Sequence, residues 1–221
     1  CFSITNEKSI SGFYDHGKKA GQWVVDSLDH QKNRIKDSSV YVNGVREGIS
    51  FVYMNKVLIS RTTWSAGKKN GEYTEYDSKS GQMIARGTYF NNNKDGIWRG
   101  YENNKLILVE DLENGIHVAN TIMYGTDTSI SIGFVSYYPD GSKKVAQYND
   151  ASGKLYQRWL YNPQENIDSI LTYYPTGKLK SGRYTAYVND DGYTQFYLFM
   201  SYYPNGKLET RGFEYRNSRN G

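Results

Sequence analysis

The sequence predicts an all-β fold, an elongated and twisted antiparallel sheet built as a solenoid of stacked β-hairpins. Three observations point there. A fifteen-residue cassette occurs twice in Val57–Gly96, as Val57–Gly71 and Gln82–Gly96, with an intervening segment, Glu72–Gly81. Its closing glycines at 48, 71 and 96 recur every 23 to 25 residues, a period that fits one hairpin and is too short for paired helices. No stretch holds an apolar stripe at helical spacing for three turns.

Each copy opens on apolar residues (Leu58–Ile59, Met83–Ile84), passes an arginine (Arg61, Arg86) and reaches an aromatic at the eighth place (Trp64, Tyr89). An Asn/Gly/Lys turn follows, with a base at the thirteenth place (Lys69, Lys94) and glycine at the fifteenth. The same cassette fits Glu7–Gly21, Arg34–Gly48, Lys178–Gly192 and Lys207–Gly221.

In chain order, residues 1–8 are polar and form an N-terminal tether. Residues 9–113 form a first hairpin array. Ile10–Asp15 and Gln22–Leu28 are strands around the turn His16–Lys19. Val40–Val42 runs into Asn43–Gly44, a pair that tolerates positive φ and therefore makes a hairpin turn. Ile49, Phe51 and Tyr53 alternate with Ser50 and Val52 at the period of a strand. Glu72–Tyr76, Gln82–Phe90, Ile97–Tyr101 and Leu106–Leu112 continue the series, punctuated by Ser78–Gly81, Asn91–Gly96 and Asn103–Asn104.

Residues 114–136 lose the pattern and form an irregular joint. Residues 137–221 form a second array, continuous in kind with the first, in which Tyr-Tyr-Pro-x-Gly appears at Tyr137–Gly141, Tyr173–Gly177 and Tyr202–Gly206. There proline ends a strand and glycine reverses the chain. The last two copies lead directly into cassettes.

The 221 residues include 22 tyrosines, and aromatics make up 15% of the chain, so apolar surface is carried by rings with polar tips rather than by a thick aliphatic core. A net charge of +4 is far from the footprint of a nucleic-acid binder. Cys1 is the one cysteine, which excludes an intramolecular disulfide. A chain beginning at cysteine resembles a mature bacterial lipoprotein, so Cys1 is the expected lipid attachment and the only membrane link. The expected location is the bacterial envelope, periplasmic or at the surface, with the cytoplasm as the alternative.

The joins Tyr-Tyr-Pro-Asn-Gly-Lys-Leu to Arg-Gly-x-x-Tyr, and Gly-Lys-Lys-Asn-Gly-Glu-Tyr-x-x-Tyr, resemble the variant MORN repeat of bacterial proteins. The resemblance covers most of 7–112 and 137–221. It implies stacked hairpins with glycines at the bends and aromatics along one face. It also implies no shared catalytic residues, and roles as interaction scaffolds, some of them antitoxins or immunity proteins.

Catalytic and cofactor chemistry finds no footing in the residues. Gly12–Lys19 approaches a phosphate-binding loop but lacks the Ser/Thr that would hold magnesium, and no helix follows. Arg211–Tyr215 and Arg86–Phe90 faintly resemble an aromatic RNA-binding strand, yet they are periodic and lie in helix-free text. His16, His30 and His117 stand apart as surface loop histidines, without metal-ligand spacing. Asp190–Asp191 and Glu110–Asp111 are sequence neighbours, which on a strand face opposite ways.

No catalytic residue, metal or cofactor is therefore expected. Two lines of residues remain. Stacked cassettes would place Tyr14, Tyr41, Trp64 and Tyr89 in an aromatic column, and Lys19, Arg46, Lys69 and Lys94, with Arg219 further on, along a basic rim. Such a surface suits a protein partner, and the resemblance to variant MORN repeats implies an acidic toxin as the sharpest candidate. The alternatives are an envelope polysaccharide- or phospholipid-binding or processing protein, and a purely structural surface lipoprotein. Exposed terminal strands could also pair with a second copy.

Overall fold

A computed structural model describes residues 3–5, 8–125, 131–163, 166–188 and 194–217. Among these residues all regular structure is β-strand. The chain divides into two compact units, Cys1–Ile116 and His117–Gly221. Cys1 and Arg219 lie outside the described residues.

The first unit contains β1 (Ser3–Thr5), β2 (Lys8–Asp15), β3 (Lys18–Leu28), β4 (Arg34–Val42), β5 (Val45–Arg46), β6 (Gly48–Met54), β7 (Val57–Ser65), β8 (Lys68–Tyr76), β9 (Met83–Phe90), β10 (Asn93–Glu102) and β11 (Lys105–Glu113). Strand β12 (Ile116–His117) stands at the division. Neighbours pair antiparallel from β1 to β11, with β5 and β6 sharing β4 as partner. Within the segment expected as a tether, Ser3–Thr5 pairs with Lys8–Ile10.

The hairpins turn on two residues that both take positive φ: His16–Gly17, Asn43–Gly44, Asn55–Lys56, Ala66–Gly67, Asn91–Asn92, Asn103–Asn104 and Asn114–Gly115. This geometry matches the natural twist of paired strands, and asparagine and glycine reach it at least cost. The turns are also tied to one another. The amides of Gly44, Gly67, Asn92 and Gly115 donate to the carbonyls of Lys19, Arg46, Lys69 and Lys94 at 2.7–2.9 Å. Each hairpin tip is thereby bonded to the thirteenth residue of the hairpin before it.

The core of this unit is one side chain deep. Trp23 and Trp98 are each 3% exposed. A Cβ built on Gly12 or Gly87 would lie 2.3 Å from the Trp23 or Trp98 ring, so each indole lies on bare backbone of its own hairpin. Trp23 also sits opposite the buried Ser39, and Tyr73 lies between Thr62 and Gly87 as cross-strand partners. Large residues thus face small ones across neighbouring strands, which lets a thin sheet bury its rings.

The second unit contains β13 (Thr121–Tyr124), β14 (Ser131–Tyr137), β15 (Lys143–Asn149), β16 (Leu155–Tyr161), β17 (Ile167–Tyr173), β18 (Leu179–Val188), β19 (Thr194–Tyr202) and β20 (Leu208–Asn217). Each pairs antiparallel with the next. The stretch expected as an irregular joint, 114–136, contains β13 and most of β14, with a register shift between Met123 and Tyr124.

Three turns here are the Tyr-Pro-x-Gly segments. In each the glycine amide bonds the tyrosine carbonyl, as in Gly141 to Tyr138, Gly177 to Tyr174 and Gly206 to Tyr203, at 2.8–2.9 Å. Asp150–Lys154 makes the same turn without proline, its glycine amide bonding the Asp150 carbonyl at 2.9 Å. Tyrosine hydroxyls serve as the ties between hairpins: Tyr138 donates to the Tyr161 carbonyl at 3.2 Å and Tyr174 to the Tyr202 carbonyl at 2.8 Å.

Candidate functional site

Pairing register decides what the cassette's eighth and thirteenth residues do. Tyr14 is directly opposite Lys19, Tyr41 opposite Arg46, Trp64 opposite Lys69 and Tyr89 opposite Lys94. Direct partners share a face of the sheet. On its other side, each later ring faces the closing glycine of the previous hairpin: Gly21 and Tyr41, Gly48 and Trp64, Gly71 and Tyr89. Glycine leaves the ring uncovered, and the base two residues earlier leans across it.

The bases therefore do not form a separate rim. The Lys19 Nζ lies 4.6 Å from the Trp23 ring centre and 4.8 Å from that of Tyr41. The Arg46 guanidinium lies 5.9 Å from Tyr41 and 4.9 Å from Trp64. The Lys69 Nζ lies 5.5 Å from Tyr73 and 4.9 Å from Tyr89, and that of Lys94 lies 4.3 Å from Trp98. All are within the ~6 Å reach at which a cation is drawn to a ring face. Column and rim are one ladder of alternating rings and cations.

Three rings of this ladder escape the fifteen-residue cassette. Trp23, Tyr73 and Trp98 come two residues after the closing glycine, and they join the expected rings edge to face. Tyr14 and Trp23 are 4.9 Å apart, Tyr73 and Tyr89 5.3 Å, and Tyr89 and Trp98 5.1 Å. At the equivalent place the second hairpin has Ser50, whose hydroxyl accepts from the Trp64 indole at 2.7 Å. Tryptophan at the eighth place thus compensates for serine at the seventeenth. A longer repeat window contains that signal.

A further cassette was also hidden in the sequence. Lys105–Ala119 has Asn114–Gly115 at the turn, Leu112 at the eighth place and His117 at the thirteenth. Leu112 is buried opposite Gly96, the register of the other copies. His117, expected as a loop histidine, stacks on Tyr137 with ring centres 4.1 Å apart.

Charge is distributed unevenly along the ladder. Arg46 is ion-paired with Asp37, and Lys94 with Glu110 at 3.6 Å. Lys19 and Lys69 touch rings but pair with no acid among the described residues. Burial first, and then the charge of Glu75, push the Tyr73 phenol well above its ordinary range, and the same two causes raise Tyr89. Both rings therefore stay neutral donors at physiological pH. Among the described residues no group of three or more His, Cys, Asp or Glu gathers in a way that could hold a metal ion.

No protein-family model matches the chain, and no curated protein matches it at a significant level.

Proposed function

We propose that this protein is a non-enzymatic repeat scaffold that binds another protein through the cation–aromatic ladder of its first unit. One observation carries the reading: Lys19 and Lys69 are held over rings yet lack a carboxylate partner among the described residues. A cation already fixed by a ring loses less freedom when an acidic group docks on it. The neighbouring rings supply contact area of the kind that dominates interfaces, and Tyr14 is 54% exposed. The two ammonium groups are on β3 and β8, four strand spacings apart, or about 19 Å. The partner this suits carries acidic groups at that interval.

The finer reading is an immunity- or antitoxin-type protein of the bacterial envelope that occludes an acidic toxin. It is supported by the resemblance of the cassettes to variant MORN repeats. The test is recovery of a stoichiometric partner from the protein's own cell envelope, repeated with the double variant Lys19→Glu/Lys69→Glu. Each exchange removes ring contacts worth about 0.5–1 kcal/mol, small against a domain stability of about 5–15 kcal/mol, so the fold survives. The reading predicts that association slows at least tenfold and loses its salt dependence. A partner captured at the wild-type rate would sink it.

A further inference from the structure

The opposite face of the first unit carries a groove over β3, β4 and β6 with a volume of about 760 Å³. Two cross-strand rows build its floor. Val24, Ser38 and Phe51 form one, and Asp26, Lys36 and Tyr53 the other. The small Ser38 between Val24 and Phe51 makes the depression. Gln22 closes one end by donating to the Ser38 hydroxyl at 3.1 Å, and Lys56 reaches in from the turn between β6 and β7.

The charges in this groove are not balanced. Asp26 stands directly across from Lys36, yet both its carboxylate oxygens are taken by Arg34, at 2.9 Å to Nε and 2.9 Å to Nη2. Lys36 and Lys56 are left with no acid among the described residues. Lys56 is also out of place locally. It takes φ +73° at the second turn position, where the six other two-residue turns of this unit have Gly17, Gly44, Gly67, Asn92, Asn104 and Gly115. A long side chain is disfavoured in that conformation, so a hairpin built only for stability would have glycine or asparagine there.

We propose that this groove binds a small aromatic carboxylate or a sulfonate of the same shape. The anionic group lies between the Lys36 and Lys56 ammonium groups, and the flat apolar body lies on Phe51, Tyr53 and Val24. The groove is two strand spacings wide, about 10 Å, which accommodates two fused rings. Its volume is that of a small-molecule site. Because it lies on the face away from the ladder, it stands or falls independently of the protein partner proposed above.

The probes are 1-anilinonaphthalene-8-sulfonate and its uncharged counterpart N-phenyl-1-naphthylamine, titrated by fluorescence against the intact chain. The sulfonate is expected to bind at least tenfold more tightly than the neutral dye. Lys36→Gln and Lys56→Gly should each weaken it about tenfold, the loss of one charge-assisted hydrogen bond. Lys56→Gly should at the same time raise the melting temperature, which separates a lost ligand contact from a damaged fold. Ser38→Phe, filling the depression, should abolish binding of both dyes.

Equal affinity for the two dyes, or sulfonate binding unchanged by Lys56→Gly or Ser38→Phe, overturns the proposal. It is also overturned if a peptide of alternating aspartate and phenylalanine displaces the dye at tenfold lower concentration than 1-naphthoate. That result would assign the groove to a protein segment.

Discussion

At the scale of single residues, the packing of Trp98 on Gly87 shows how little depth this sheet has to spare. Gly87 has an ordinary backbone conformation, so only the ring forbids a side chain there. Gly87→Ala should therefore cost about 1–3 kcal/mol by overpacking, measured by denaturant unfolding. The two buried indoles also differ. Trp98 donates to the Thr88 carbonyl at 2.9 Å, whereas the Trp23 Nε1 is buried without a hydrogen-bond partner. Replacing either by phenylalanine loses similar ring area, but only at 98 does it remove a hydrogen bond. Trp98→Phe should be the more destabilising by about 1 kcal/mol, and equal losses would contradict this account of the two sites. The eighth- and thirteenth-place residues were legible from periodicity alone. The seventeenth-place rings were not, because the cassette ended two residues before them.

At the scale of the element, the two-residue turn is the unit that repeats. Asparagine fills the first turn position in five of seven cases, and Ala66 holds it with φ +50°. Ala66 gains nothing from that conformation, while asparagine tolerates it. Ala66→Asn should stabilise the β7–β8 hairpin by about 0.5–1 kcal/mol, read as a higher urea midpoint at constant slope. Asn43–Gly44 announced its turn in the sequence because both residues are suited to positive φ. Asn55–Lys56 did not, since lysine carries no such signal. Proline marked three turns of the second unit, and Asp150–Lys154 was missed because aspartate does the equivalent work with a side chain. There Asp150 Oδ1 accepts from the Ser152 amide at 2.9 Å and from its hydroxyl at 2.6 Å.

At the scale of the whole molecule, stability should be flat across the middle of the pH range and fall at both ends. Serine hydroxyls and amides hold Asp140, Asp150 and Asp77 below the usual carboxylate range, the Ser142 hydroxyl first for Asp140, the Ser152 hydroxyl first for Asp150 and the Ser80 amide first for Asp77. A depressed folded value gives stability that is present above the unfolded value and is lost as pH falls through the folded one. Tyr73 works in the other direction. Its folded value lies above the ordinary 10.0, so its contribution is intact below that pH and is lost as pH rises beyond it. Melting temperature should hold level between about pH 4 and pH 10 and decline outside that window. Tyr73→Phe should flatten the alkaline limb, and an unchanged limb would show that another group is responsible.

The all-β hairpin architecture was readable in the chain because repeat length, turn chemistry and strand alternation agreed. The merging of column and rim was not. It depends on which strand faces which, and a single cassette does not contain its neighbour.

The amide-to-carbonyl ties between successive hairpin tips have a consequence for how such a surface changes over time. They are made by the main chain, so the distance from rung to rung is set without help from the residues that form the rungs. Rings and cations can then be exchanged one at a time, like type in a fixed frame. A new pattern of contacts can arise while its spacing is preserved.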